Sequence, residues 1–414
     1  MTRTPPKVPR PQPAPLSPSP AIARLEADIA ATDPASAVAR FWDAHPIAPV
    51  VDAGDADGER IVTFVWRDAG AAEVLLFANR LTDERAIDDS LLRRVPGTDV
   101  WWLAYRMRAD WRASYSFLVR REGERAPWRT ADDQVALRAA LDHGFADPRN
   151  PDGVRNRAGT RQSVVSLPDA PPQPWREAAE ATRATRAAGG VDALGALDAP
   201  DGRTVWVHEP AGTHLDQPLP VVLVLDGEVW LSAHDLPGTV DAMVDAGRLR
   251  PVRLVLVDSG GVQQRWRDLD ADGDGVGWLC DRLLPWLATR FALPSQPEHV
   301  VVAGQSLGGS TALRAALLRP DVIGAALAQS ASTWQSDFGE LAGQANRRGT
   351  RVWLEVGLQE WVLLDAHRVL ADDLRRAGAE VAFREFNGGH DYACWRGGIA
   401  DGLAHLLPPV DAAG

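Results

Sequence analysis

The chain has 414 residues, too many for one ordinary core, and its 45% hydrophobic and 24% charged content is that of a globular protein. A formal net charge of −12 argues against nucleic acid or an anionic membrane surface as a partner. No stretch approaches the roughly 20 apolar residues of a membrane span, and two cysteines, Cys280 and Cys394, make no disulfide framework, so a reducing, cytoplasmic location is expected.

Residues 1–20 are proline-rich without an apolar h-region and read as a disordered tail, not a signal peptide. Residues 21–45 look helical, broken at Asp33-Pro34. From Ile61 the period changes. The runs 61–67, 73–77, 100–106 and 114–120 are short, β-branched and aromatic, with turn-rich links between them. They predict a small all-β sandwich over 21–150, which is either a binding module or a packing partner for an enzyme domain. Residues 151–195, rich in Pro, Asp and Gly at their start, read as a linker that includes a helix from Trp175 to Leu194. Strands then alternate with helices over 196–410. Strands are expected at 204–209, 221–225, 254–257, 300–303, 352–356 and 381–386, and helices near 240–246, 278–291, 311–318 and 361–376. That alternation predicts an α/β domain with a mostly parallel, doubly wound sheet.

One stretch of this second domain carries chemistry. Val300 to Val302 reads as a buried strand, Gly304-x-Ser306-x-Gly308 comes at once after it, and Thr311 to Leu318 reads as a helix. Strand, tight turn with a serine at its apex, then helix is the nucleophile elbow of an α/β-hydrolase. Small flanking residues let strand and helix close behind Ser306, and the Leu307 N–H at the helix start can face a developing oxyanion.

Such a serine needs a base and an orienting acid, in the chain order Ser, Asp or Glu, His. His367 and His405 fall in expected helices, whereas His390 lies in a loop directly after the last strand, where the fold presents its base. The acid is expected in the loop after the 352–356 strand, where Glu360 lies; Glu355 within or at the end of that strand, Asp365 on the following helix and Asp391 beside the histidine are the alternatives. The second oxyanion donor is expected in the loop after 221–225, at the N–H of Gly227 or Glu228.

Longer strings carry a resemblance. Val301-Val-Ala-Gly-Gln-Ser-Leu-Gly-Gly309, Gln329-Ser-Ala-Ser-Thr-Trp334 and Gly388-Gly-His-Asp-Tyr-Ala-Cys-Trp-Arg-Gly-Gly398 resemble the enterochelin (enterobactin) esterase family. So do Val62-Thr-Phe-Val-Trp-Arg67, Trp111-Arg-Ala-Ser-Tyr-Ser-Phe117, Asp147-Pro-Arg-Asn-Pro151 and Ser163-Val-Val-Ser-Leu-Pro168 in the first domain. The resemblance implies a cytoplasmic serine esterase that cuts the lactone esters of a catecholate siderophore imported with iron. The ferric iron is then part of the substrate, and no cofactor is implied. An anionic, aromatic-faced ligand calls for arginine and tryptophan, and the resemblance points to Arg265, Arg267, Trp334, Trp395 and Arg396. Two features depart from the family pattern: Arg265-Trp-Arg-Asp-Leu269 with the acidic turn Asp270-Ala-Asp-Gly-Asp-Gly275 after it, and His367 where asparagine is frequent.

That acidic turn also mimics a calcium loop, with Asp281 at the twelfth place, although no helix is expected before it. No metal site is expected overall. Other functions compatible with the residues are a feruloyl-type esterase or acyltransferase on the same fold, and a non-catalytic siderophore-binding protein.

Overall fold

The computed structural model describes residues 4–131, 133–179, 195–213, 216–344 and 347–409. They form two compact units. One holds Arg10–Pro171 with Asn387–Cys394, and the other holds the remaining described residues.

In the first unit the strands are β1 (Val50–Ala53), β2 (Glu59–Arg67), β3 (Ala71–Ala78), β4 (Arg93–Arg94), β5 (Val100–Arg108), β6 (Arg112–Arg121), β7 (Gly153–Arg155) and β8 (Arg161–Ser166). They make two four-stranded antiparallel sheets, ordered β1-β2-β5-β4 and β3-β6-β8-β7. Val62, Phe64 and Leu103 of the first sheet share a core with Val74, Leu76, Tyr115 and Phe117 of the second. The helices Pro20–Ala31 and Pro34–Ala44 share a second cluster with Val50, Val65 and Val100. Both faces of β2 are therefore covered, which is why Ile61 to Val65 are all buried and largely apolar, not alternating, with the one hydroxyl, Thr63, bonded to Ser19. The helix break at Asp33-Pro34 has a local cause: the Asp33 carboxylate caps Ser36 N, and Pro34 takes the first helical position.

Two expectations fail here. The tail is not disordered throughout: Ser17 N donates to Ala104 O and Pro15 O accepts from Arg106 N, so residues 15–17 lie along β5. β4 covers only Trp101 and Trp102 of that strand, and a proline-rich segment can pair an edge because few of its groups need to donate. Arg10 reaches the carbonyls of Arg80, Leu81 and Thr82. The expected linker, likewise, begins with β7 and β8, whose pairing completes the second sheet. The expected helix from Trp175 lies largely outside the described residues, which are helical at 174–179.

In the second unit the strands are β9 (Ala196–Ala199), β10 (Arg203–His208), β11 (Val221–Val224), β12 (Arg253–Val257), β13 (Val300–Gln305), β14 (Ala325–Gln329), β15 (Arg351–Gly357) and β16 (Glu380–Phe386). The eight-stranded sheet runs β16-β15-β14-β13-β11-β12-β10-β9, parallel from β16 to β12 and antiparallel at β10 and β9. The mostly parallel sheet expected of an α/β-hydrolase is present. The expected helix at 278–291 is built from Gly275–Trp278, a π-helical turn at Leu279–Leu283 and Leu284–Ala288. Pro285, which has no N–H to offer the preceding turn, comes two residues after the last residue of the widened stretch. No helix among the described residues is long and apolar enough to cross a membrane, and Cys280 and Cys394 are buried and form no disulfide.

Candidate active site

All of β13 is buried, and directly after it comes Ser306, whose backbone takes φ +56° and ψ −118° before the helix Leu307–Leu318 begins. A residue with a side chain holds that conformation only where its surroundings enforce it. Here Ser306 N donates to Gln329 O at 3.0 Å, and Ser306 O accepts from Ser332 N at 3.0 Å. The strain that presents the Ser306 hydroxyl is thus fixed by the backbone at the end of β14 and just beyond it.

β11 lies beside β13 in the sheet, and Leu225 N donates to Ala303 O at 2.9 Å, so the two strands deliver their C-terminal loops side by side. Order reverses between these strands, the place where open α/β sheets bind ligands. The loop after β11 places Asp226 in the left-handed region and opens the helix Gly227–Ser232 at Gly227. Gly227 is required at that point: a Cβ there would lie 2.4 Å from Val257 N and 2.5 Å from Leu256 C, both backbone of β12. Leu307 and Gly227, the two expected oxyanion donors, are thus each the first residue of a helix that succeeds one of these neighbouring strands. Glu228, whose N–H is the alternative donor, is the next residue of the same helix, and its carboxylate accepts from Ser259 N and Oγ.

Asp226 is 1% exposed at its side chain, and Arg265 meets it with two hydrogen bonds of 2.7 and 2.8 Å. Arg265, expected to hold substrate, is therefore committed to the residue that precedes Gly227. Removing one partner of a buried ion pair strands the other charge, at a cost of about 3 kcal/mol or more. Arg265→Ala should lower the urea midpoint accordingly and reduce kcat through Gly227; an unchanged midpoint would show that the pair holds nothing. Arg267, by contrast, is exposed, and its guanidinium donates to Gln264 Oε1 of its own helix, Val262–Leu269. That helix directly precedes the acidic turn, where none is expected from the sequence. In the turn Arg314 donates to the carbonyls of Leu269 and Asp270, and Asp281, at the twelfth place of the calcium-loop pattern, pairs with Arg319 at 2.6 Å. No cluster of three His, Cys, Asp or Glu suited to a metal occurs among the described residues.

Glu360 lies just after β15 and is 0% exposed. Its Oε2 accepts from Gly357 N at 2.7 Å and from the Ser330 hydroxyl at 2.6 Å. The rival carboxylates are placed elsewhere. Asp365 is 88% exposed beside Arg368, and Asp391 accepts from the backbone N–H groups of Ser114 and Ala393. The rival histidines also have other surroundings: His367 is buried with Nδ1 on Leu363 O, and His405 is exposed on the last helix.

Glu355 belongs to a buried chain of amides that sequence reasoning missed. Trp230 Nε1 donates to Gln305 Oε1, Gln305 Nε2 to Gln329 Oε1, and Gln329 Nε2 to Glu355 Oε1, at 2.8, 2.9 and 2.6 Å. It ties the Gly227–Ser232 helix to the residue before the nucleophile and on to β15. Burial pushes the Glu355 carboxyl up to about 7, against the donors from Gln329 and Trp353. The unfolded value is near 4.5, so between 4.5 and 7 the folded chain keeps a proton that the unfolded chain has lost. This contribution is complete below pH 4.5 and fades as pH rises towards 7. The melting temperature should carry that downward slope between pH 5 and 7, and Glu355→Gln should flatten it; an equal slope in both proteins would refute the assignment. His234 was also missed. Burial, with the Arg396 guanidinium nearby, pushes it down to about 3, so it is a neutral imidazole at the end of the Gly227–Ser232 segment.

Trp395, expected to face substrate, is 4% exposed and donates its indole N–H to Ser330 Oγ at 2.9 Å. Trp334 is half-buried in a short turn, and Arg396 donates to Gln173 Oε1 at 2.8 Å. His390 is half-buried in the segment that belongs to the first unit. Asn79 Nδ2 donates to His390 O at 3.0 Å, Asn387 donates to Asp110, and Tyr392 and Ala393 pack on Val154 and Val164. Ser306, Glu360, Leu307 and Gly227 belong to the second unit.

An eight-stranded α/β sheet with a strained serine at its nucleophile elbow defines an α/β-hydrolase. Residues 61–176 match the family model "Enterochelin esterase, N-terminal", and residues 199–406 match the family model "Putative esterase". The chain is 30% identical over 375 residues to an iron(III) enterobactin esterase of Escherichia coli O6:H1, covering 84% of this chain and 92% of the relative. It is 30% identical over 415 residues to an iron(III) salmochelin esterase of the same organism, covering 93% and 97%. The ferric enterobactin esterase of Salmonella typhimurium, a crystal structure, superposes with a TM-score of 0.75 at 26% identity, over 89% of this chain and 98% of that one. The Shigella flexneri enterobactin esterase crystallised in the presence of enterobactin gives 0.71 at 26%, over 89% and 97%. The chain belongs to the enterochelin (enterobactin) esterase family.

Proposed function

We propose that this protein is a serine esterase that hydrolyses the lactone esters of an iron-loaded catecholate siderophore in the cytoplasm. The observation that carries the reading is the strained Ser306 elbow in a chain whose two family matches span both an enterochelin esterase N-terminal region and an esterase domain. Relatives named for iron(III) enterobactin and salmochelin support the substrate class.

Ser306 Oγ attacks the ester carbonyl while His390 takes its proton, and Glu360 orients the imidazole. The N–H groups of Leu307 and Gly227 hold the oxyanion. His390 then protonates the departing serine hydroxyl of the substrate, and water releases the acyl group by the same steps. Iron enters as part of the substrate, and the protein supplies no cofactor. Cutting the platform that joins the catecholates lowers the effective concentration of the remaining ligands around the metal, which loosens it. Arg267, Arg396 and Trp334 are the side chains offered to the anionic, aromatic ligand.

The experiment is chromatographic product analysis of ferric enterobactin incubated with wild type and with Ser306→Ala. Linear trimer, dimer or monomer of dihydroxybenzoylserine from wild type alone is the expected result. An intact trilactone, with a simple aryl ester still cleaved, would overturn the substrate assignment and leave the esterase.

A further inference from the structure

Beside Glu360 lie two buried residues for which the reaction as proposed has no use. Ser330 comes directly after β14 with φ +46°, a second strained position one strand away from the nucleophile's own. Its backbone is pinned by Ser330 N donating to Glu355 O at 2.7 Å. Its hydroxyl is buried and sits between two groups of opposite demand. The Trp395 indole N–H can only donate, so Ser330 Oγ accepts from it at 2.9 Å and has its own proton to give to Glu360 Oε2 at 2.6 Å. The direction of that relay is therefore fixed: indole to hydroxyl to carboxylate. Gly357 N lands on the same Oε2, so two donors hold one carboxylate oxygen and thereby set where the other is aimed. Chains of donors polarise one another in a dry interior, which strengthens the last bond of the series.

We infer that Ser330 and Trp395 act as a pair of positioning residues for the acid Glu360, with the indole holding the hydroxyl and the hydroxyl holding the carboxylate. The inference rests on the reading of Glu360 as the residue that orients His390. It gives the strained backbone at Ser330 a purpose, because that conformation is the one in which its hydroxyl meets Glu360 Oε2. It also explains why a tryptophan so close to His390 in sequence is buried and not offered to substrate.

The test uses full-length Ser330→Ala, Trp395→Phe, Glu360→Gln and the double variant Ser330→Ala/Glu360→Gln, with an aryl acetate as probe. Outer partners that orient metal ligands typically matter 10- to 100-fold, and by the same logic of orientation from behind Ser330→Ala should lower kcat by about that factor with KM little changed. The acid limb of kcat/KM should move to lower pH, because a poorly aimed carboxylate stabilises the imidazolium less. In the Glu360→Gln background, Ser330→Ala should cost almost nothing further. A hydroxyl that matters only for packing would cost the same factor in both backgrounds, and that additive result would overturn the proposal. Trp395→Phe keeps a ring and removes the donor; it should lower kcat severalfold, and it serves as the test if Ser330→Ala does not fold. Should Glu360→Gln itself retain wild-type kcat, the acid assignment falls and the relay with it. If Glu360→Gln is crippled while Ser330→Ala and Trp395→Phe are not, the relay alone falls.

Discussion

Ser306→Ala should lose ester hydrolysis by a factor on the order of 10⁶ in kcat, and His390→Ala should match it. The residues of a nucleophile–base pair act as a unit, so the double variant should be no worse than either single one. What activity remains would come from substrate binding and from the N–H groups of Leu307 and Gly227 proposed to hold the oxyanion, which neither change touches. The fold should be unaffected by Ser306→Ala. The hydroxyl's one described contact is a 3.4 Å approach to Ser332 Oγ, while the strained backbone is held by Gln329 O and Ser332 N, which alanine keeps. Matching melting curves with lost turnover would locate the defect in chemistry. A double variant far slower than both singles would mean that Ser306 and His390 do not act together, and another base would have to be sought.

The elbow was legible because its demands are local. A strand, a helix and two glycines at fixed offsets are written in consecutive residues, and the strained serine is their consequence. Most hydrophobic strands were legible for the same reason. β14 was not, since Ala325-Ala-Leu-Ala-Gln329 has little β-propensity and is a strand only because it lies between β13 and β15. The tail and the expected linker misled because proline and glycine report local conformation and not whether an edge such as that of β5 needs a partner. The candidate site residues were read by two kinds of signal. Ser306, Gly227, Glu360 and His390 were chosen by their place relative to strands. Arg265 and Trp395 were chosen for chemical suitability, and what decides their role is which way the side chain points. Arg265 turns to Asp226 and Trp395 to Ser330, partners 39 and 65 residues away in the chain, and such pairings have no periodic signature. Nor does any pattern in Asn387–Cys394 announce that this stretch belongs to the first unit.

The two glycines of the Gly304-x-Ser306-x-Gly308 motif should respond in opposite ways to alanine. A Cβ on Gly304 would lie 2.4 Å from Gly308 C and 2.5 Å from its O, distances that real atoms do not tolerate. Both are backbone atoms of the first turn of the Leu307–Leu318 helix, so no side chain can swing aside and the helix itself must retreat from β13. That helix is buried along nearly its whole length, and such overpacking typically costs 1–3 kcal/mol and occasionally more, so about 3 kcal/mol is expected here. Its first turn also carries the Leu307 N–H, and a shift of roughly 1 Å in a reacting geometry can cost about 10²-fold in rate. Gly304→Ala should therefore lose stability and turnover together. On Gly308 the same methyl would meet Leu225 Cβ at 3.4 Å and nothing nearer, an ordinary contact. Alanine is favoured over glycine inside a helix by up to about 1 kcal/mol, so Gly308→Ala should keep or slightly raise stability and leave kcat within a few-fold. Urea denaturation and aryl-ester kinetics on the two variants separate the cases. Equal tolerance at both positions would mean that the close approach of β13 to the helix is not what forces glycine before the nucleophile, and that the strain at Ser306 alone demands the motif.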